Sequence, residues 1–208
     1  MSDANIHPTA IIEDGVTIGA ETSVWDNVHI RFGTRIGTNC IIGEKTYIAY
    51  DVEISDLVKI NNHVSICTGV TIETGCMVAA HVVFTNDVTP RAADGDFRQL
   101  LPSEPDDSTL RTVVGRGATI GANATIGPGL TLGSFCMVGM GAVVTRNVIP
   151  HGQVTGNPAR LRGLVRRDGK VIWRTETGDL PPDGTIMDCD DGTRLEIKQA
   201  TPHLLVDS

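Results

Sequence analysis

The sequence predicts an all-β fold, a parallel β-helix of hexapeptide repeats with a projecting loop and a small C-terminal β-hairpin cap. Three observations predict it. Every sixth residue from Ile6 to Phe84 is large and apolar: Ile6, Ile12, Ile18, Val24, Ile30, Ile36, Ile42, Ile48, Ile54, Ile60, Ile66, Ile72, Val78 and Phe84. The pattern returns, in the same phase, as Val114, Ile120, Ile126, Leu132, Val138 and Val144. Two places before most of these stands a small or β-branched residue, such as Val16, Val28, Thr34, Cys40, Val64, Ala118 or Ala142. A period of six matches neither a 3.6-residue helix nor a plain two-residue strand alternation. It matches a parallel β-helix in which six residues make one short strand and one corner.

Each hexad can be read in turn. The large and the small residue are two apart, so both face inward on a pleated strand. Gly or Ala often follows the large residue, as at Gly19, Gly37, Gly43, Gly115, Gly121 and Gly133, and is expected to free the backbone for the corner. Three corners close a triangular coil of 18 residues. Twenty hexads then make between six and seven coils. At about 4.8 Å between strands the prism is roughly 30 Å tall.

Two segments interrupt the repeat. Residues 85–113 carry no hexads and are rich in Asp and Pro, including Asp94, Asp96, Pro102, Pro105, Asp106 and Asp107. The phase survives across them, so they are expected to be a loop thrown out from a corner of one domain, residues 1–156. A loop of that length inside a compact domain is often functional. From residue 157 to 208 the register ends, and two hairpins are predicted, around Asp168-Gly169 and Asp191-Gly192. They are expected to cap the open strand edges at the end of the helix.

Composition narrows the class. The formal net charge is −8, against a broad nucleic-acid-binding face. No run of eighteen apolar residues is present, so no membrane-spanning segment is expected. The polar stretch Met1–His7 has no apolar signal-peptide core. Aromatics are 4% and glycines number 23, which suits a narrow bore. The five cysteines form no Cys-x-x-Cys pair. Three of them, Cys40, Cys76 and Cys136, fill the small inward slot and are expected to be free, buried thiols of a cytoplasmic protein.

Three stretches carry a resemblance. They are Ile6-His7-Pro8-Thr9-Ala10-Ile11-Ile12; His81-Val82-Val83-Phe84-Thr85-Asn86-Asp87 with Pro90-Arg91-Ala92; and Val138-Gly139-Met140-Gly141-Ala142-Val143-Val144 through Gly156-Asn157-Pro158-Ala159-Arg160. With the repeats, they resemble the hexapeptide-repeat acyltransferases and, within them, the nucleotide-sugar N-acetyltransferases. These act on the 3-amino group of dTDP-3-amino-3,6-dideoxyhexoses or of UDP-2-acetamido-3-amino-glucuronate. The Phe-Thr-Asn-Asp…Pro-Arg form is more similar to the dTDP-sugar group. One departure is that Asp26 follows Trp25, where many relatives carry His. The resemblance implies a left-handed β-helix, a homotrimer with clefts between neighbouring prisms, and acetyl-CoA as co-substrate with no metal.

Transfer from acetyl-CoA needs a neutral amine, aimed at the thioester carbonyl, and a donor for the oxyanion. A sugar amine is weakly basic enough to supply its own free base, so no strong general base is compulsory. In the resembling family the Asn of the loop motif holds the amine, which assigns that role to Asn86; the plain reading is a turn-forming Asn. His81 is a general base, a corner bystander or half of a metal pair with His63, which lies one coil earlier. Asp87, Arg91 and His63 are the substrate-binding candidates. For CoA the candidates are Gly139, Gly141 and Ala142 beside the pantetheine arm, and Arg160 and Arg166 at the phosphates. The two arginines belong to a basic stretch with Arg162, Arg167, Lys170 and Arg174, whose plain reading is a solvated charged face.

Two other classes remain on the sequence alone. One is a metal-dependent lyase like the β-helical carbonic anhydrases, which use a His-x4-His pair absent here. The other is a non-catalytic scaffold, which the long loop and its Asn motif speak against.

Overall fold

A computed structural model describes residues 3–102, 106 and 109–205. Pro105 and Asp107 of the expected loop lie outside the described residues. Strands of two to four residues stack into three parallel faces. The first face holds Asn5–Ile6, Ser23–Val24, Ile41–Ile42, Lys59–Ile60, Met77–Val78, Thr119–Ile120, Met137–Val138 and Gly152–Thr155. The second runs from Ile11–Ile12 to Val143–Val144, and the third from Thr17–Ile18 to Thr131–Leu132. The register step is one coil of 18 residues: Ile42 pairs with Ile60, and Ile60 with Val78. Across the loop Val78 pairs with Ile120, so the insertion leaves the stack continuous.

Sequence counting stops at twenty hexads, but the first face gains an eighth parallel strand. Gly152–Thr155 lies outside the six-residue phase and still pairs Gln153 with Met137 and Val154 with Val138.

From Val24 onward the last residue of each hexad strand is buried. Ile30, Ile42, Ile48, Ile60, Ile66 and Ile72 are fully buried, and so is Phe84 at the loop's root. Burying one such side chain contributes roughly 1.5–3 kcal/mol. Polar residues in the small slot are satisfied. Thr22, Thr34 and Thr46 donate to the carbonyls of Gly37, Ala49 and Asn61 at 2.8, 2.9 and 3.0 Å.

The glycines that follow the large residue do not serve the expected purpose. A Cβ on Gly43 would sit 2.5 Å from the Asn61 carbonyl carbon, and one on Gly133 would sit 2.3 Å from Pro150 N. These positions are glycine because adjacent coils touch there through backbone. Left-handed φ falls two residues later, at Gly15, Gly33, Gly75 and Gly117, but also at Asn27, Asn39, His63 and His81. Asn tolerates that region better than most side chains.

The tail extends the prism. Arg160–Val165 pairs antiparallel with Gly152–Thr155, and Val171–Arg174 pairs with Arg160–Val165. The last edge of the first face is thereby covered. Beyond it, Ile186–Asp188, Arg194–Lys198 and Thr201–Leu204 form a separate antiparallel sheet over buried Leu195 and Ile197. The sequence implied two strands here; the third brings Pro202 to an edge, where its missing N–H costs nothing.

Candidate active site

The 18-residue coil decides which side chains meet. His63 and His81 occupy the edge between the first and second faces, on successive coils. Their rings stack, with centroids 4.8 Å apart and 20° between planes. Asn62 Nδ2 donates to His63 Nδ1 at 2.9 Å, and the His81 amide donates to the Asn62 carbonyl at 3.1 Å. Both imidazoles are exposed. Among the described residues, no group of three or more His, Cys, Asp or Glu side chains converges as a metal ion would require.

Asn86 occupies the next edge, between the second and third faces, where the loop leaves. The root is fixed by Thr85, whose amide and Oγ1 both donate to the Ile126 carbonyl, at 3.0 and 3.1 Å. Asn86 is half-buried, and its amide makes no side-chain hydrogen bond among the described residues. Asp87 and Arg91 are exposed; Arg91 Nη1 donates to the Pro90 carbonyl at 2.8 Å. Farther out the loop folds back on itself through an Ala93–Leu100 bridge, leaving Phe97 88% exposed at its tip.

The two catalytic candidates are not brought together in one chain. His81 and Asn86 lie at opposite ends of the strand Val83–Phe84. Five residues of extended chain span roughly 16 Å.

The cofactor candidates separate. Gly139 packs under Thr155, whose Cγ2 would lie 2.7 Å from an added Cβ. Gly141 has φ +66° and open space around it, so its backbone is accessible. Ala142 holds the small inward slot and is fully buried. Arg160 is exposed beside a 210 Å³ cavity shared with Arg146, Ile149 and Leu161. Arg166, the other phosphate candidate, is nearly buried. Its side chain is only 9% exposed and faces Asp168, Asp190 and Asp191. The Asp168 hydrogen bond raises the guanidinium pKa still further above its ordinary value, and Arg166 holds Asp168 well below the usual carboxylate range. A guanidinium so placed ties parts of the tail together.

The buried thiols are inert. Burial pushes Cys76 up to about 11 and Cys136 up to about 12, so neither is a thiolate near neutral pH.

Sequence reasoning missed a recess of 580 Å³ on the third edge, lined by Leu57, Gly75, Arg116, Gly117, Phe135 and Arg167 among others. Its signal was present: two successive glycines, Gly75 and Gly117, stand at the left-handed corner position between Leu57 and Phe135.

The fold so described is a parallel β-helix built of hexads. Residues 9–48 match the hexapeptide repeat of succinyl-transferase, and residues 111–146 match the bacterial transferase hexapeptide (six repeats). Both stretches are hexads of the three faces. Over 59 residues it is 41% identical to dTDP-3-amino-3,6-dideoxy-alpha-D-galactopyranose 3-N-acetyltransferase of Aneurinibacillus thermoaerophilus. That match covers 28% of this chain and 31% of the relative, so the chain spans about a third of the curated protein it matches. Among solved structures it is similar to PerB from Caulobacter crescentus in complex with CoA and GDP-perosamine. There the identity is 21% and the TM-score 0.44, over 78% of this chain and 58% of that one. It is also similar to a mutant of an N-acyltransferase from Bacillus cereus in complex with dTDP and Coenzyme A. In that case the identity is 18% and the TM-score 0.49, over 79% of this chain and 83% of that one.

Proposed function

We propose that this chain transfers the acetyl group of acetyl-CoA to the 3-amino group of a nucleotide-linked amino sugar, a dTDP-3-amino-3,6-dideoxyhexose. The observation that carries the reading is the 41% identity over 59 residues to a dTDP-sugar 3-N-acetyltransferase. Asn86 supports it from the site side: a half-buried amide at the loop's root, with acceptor and donors unengaged among the described residues, suits an incoming sugar amine. The amine nitrogen attacks the thioester carbonyl, the C–N bond forms, the C–S bond breaks, and CoA leaves as the thiolate. The ammonium proton passes to an imidazole, to water or to that thiolate. With Cys76 and Cys136 held protonated in the core, direct attack in a ternary complex needs no covalent acetyl-enzyme.

The separation of His81 from Asn86 supports a homotrimer. If one amine is served by both, the His81 edge of one copy faces the Asn86 edge of another. Sedimentation of the full chain at micromolar concentration tests this, and a monomer with full activity overturns it.

The experiment for the reaction is mass-spectrometric detection of acetylated product with acetyl-CoA and dTDP-3-amino-3,6-dideoxyhexoses. UDP-2-acetamido-3-amino-glucuronate serves as the competing acceptor. A gain of one acetyl group on the dTDP sugar is expected. Product only from the UDP sugar reassigns the acceptor, and no product from either removes the reading.

A further inference from the structure

The third edge of the prism carries neither His81 nor Asn86. Its corner positions run Leu57, Gly75, Gly117, Phe135 and His151, one coil apart except across the loop. The two glycines leave a notch between Leu57 and Phe135, three strand spacings or roughly 14 Å long. The Phe135 ring leans over Gly117, where an added Cβ would meet it at 2.6 Å. Its far side is filled by His151, with ring centroids 5.2 Å apart and 25° between planes. The tail supplies a wall: the turn at Gly169 reaches the Met137 methyl, 3.1 Å from where a Cβ would sit. The resulting recess, at 580 Å³, is of the size that holds small organic ligands.

Its charge is unusual for this chain. Arg116 and Arg167 both line it, and among the described residues neither has a carboxylate at ion-pair distance. Arg167 lies over Phe135, its Cζ 5.5 Å from the ring centroid. The recess also contains Asp168, but that carboxylate is engaged by Arg166 and by Lys170, the latter at 3.5 Å. Glu73 is nearby and accepts from the Arg116 amide at 2.8 Å, which holds Arg116's backbone and leaves its guanidinium open. In a protein of net charge −8, two open arginines beside an aromatic ring and an aliphatic floor favour an anion joined to a flat ring.

We propose that this recess binds a phosphorylated nucleoside, with its base in the Leu57–Phe135 notch and its phosphate between Arg116 and Arg167. A polyanionic macromolecule fits less well, since the chain as a whole carries a net charge of −8. Two sources share the chemistry: the 3′-phosphorylated adenosine end of the acyl donor, or the diphosphate nucleoside of the acceptor. Naming those sources rests on the acetyltransferase reading; the nucleotide site itself does not.

The test is calorimetric titration of the full chain with adenosine 3′,5′-bisphosphate, dTDP, UDP and inorganic phosphate. At least one nucleotide is expected to bind, with inorganic phosphate at least tenfold weaker. Arg116→Gln and Arg167→Gln should each weaken that nucleotide at least fivefold. Gly75→Asn should fill the notch and weaken it further, while the fold persists, because Asn39 already adopts left-handed φ at the same register. Binding confined to the bisphosphate assigns the acyl donor, and binding confined to dTDP or UDP assigns the acceptor. The proposal is overturned if no nucleotide binds, if phosphate binds as well as they do, or if all three variants bind normally. Acetyl transfer is assayed alongside. Normal binding in the variants of an active enzyme removes this inference and leaves the enzymatic reading. Nucleotide binding that the variants abolish, in a protein acetylating no amino sugar, does the reverse.

Discussion

Arg166 Nε donates to Asp168 Oδ1 at 2.9 Å, within the turn that joins two strands of the first tail hairpin. The same guanidinium lies 3.4 Å from Asp191 and 3.8 Å from Asp190, at a turn of the second tail sheet. One side chain therefore links both tail elements, and Arg167 N adds a bond to Thr193 Oγ1 at 3.4 Å.

Arg166→Met should release the second sheet without touching the prism. Limited proteolysis should cut within residues 186–204 at least several-fold faster than in the parent, with the KM for acetyl-CoA measured alongside. A raised KM with unchanged proteolysis would return Arg166 to the phosphate role.

The same end of the molecule should be acid-sensitive. His151 is buried and neutral: desolvation lowers its pKa, and Nδ1 bonds the Val165 carbonyl at 2.9 Å. Below about 6.5, the ordinary histidine value, the unfolded chain binds a proton that the folded chain resists, so stability falls with pH from there. Asp168 acts in the same direction at lower pH. Its pKa is depressed by Arg166, so its contribution is present above about 4 and lost as pH falls toward the folded value. Thermal melts between about pH 7.5 and about pH 2 should show both steps. His151→Leu should remove the first and Asp168→Asn the second; a flat profile in the parent contradicts both.

Asn86→Ala should lower kcat more than tenfold and shift the Tm little, since the amide has no side-chain partner among the described residues. Steady-state kinetics with the amino sugar nucleotide, alongside a melting curve, read the two quantities. Unchanged turnover would show that the loop motif is only a turn.

Ile66→Asp should yield no soluble folded protein. Ile66 is fully buried against the neighbouring coils, and an unpaired carboxylate there costs several kcal/mol. Ile66→Val, by contrast, should fold and melt a few degrees lower. Circular dichroism of the two variants checks the inward register residue by residue.

The hexads were legible because each repeats one local rule. Ile60, Ile66 and Ile72 face inward whatever surrounds them, since the pleat fixes the direction of alternate side chains. The His63–His81 stack was legible for the same reason: residues 18 apart share a corner. The role of Gly43 and Gly133 was not, because the need for glycine there comes from the backbone of the next coil. Nor was the fate of the basic stretch. Its charges are adjacent in sequence, but Arg166 turns toward acids 24 and 25 residues away while Arg160 stays in solvent.

By itself the sequence determined the parallel β-helix, its inward residues, the loop's point of departure and which corner residues stack. These follow from a strictly periodic pattern, in which every contact is with a residue one coil away. Only the tertiary structure decided where the periodicity ends. It added an eighth strand outside the hexad phase, tied the two tail sheets through Arg166, and set the tail's turn against the Gly75–Gly117 notch. Those contacts join segments at unrelated separations. Their geometry depends on how both segments lie against the finished prism, and no local repeat encodes that.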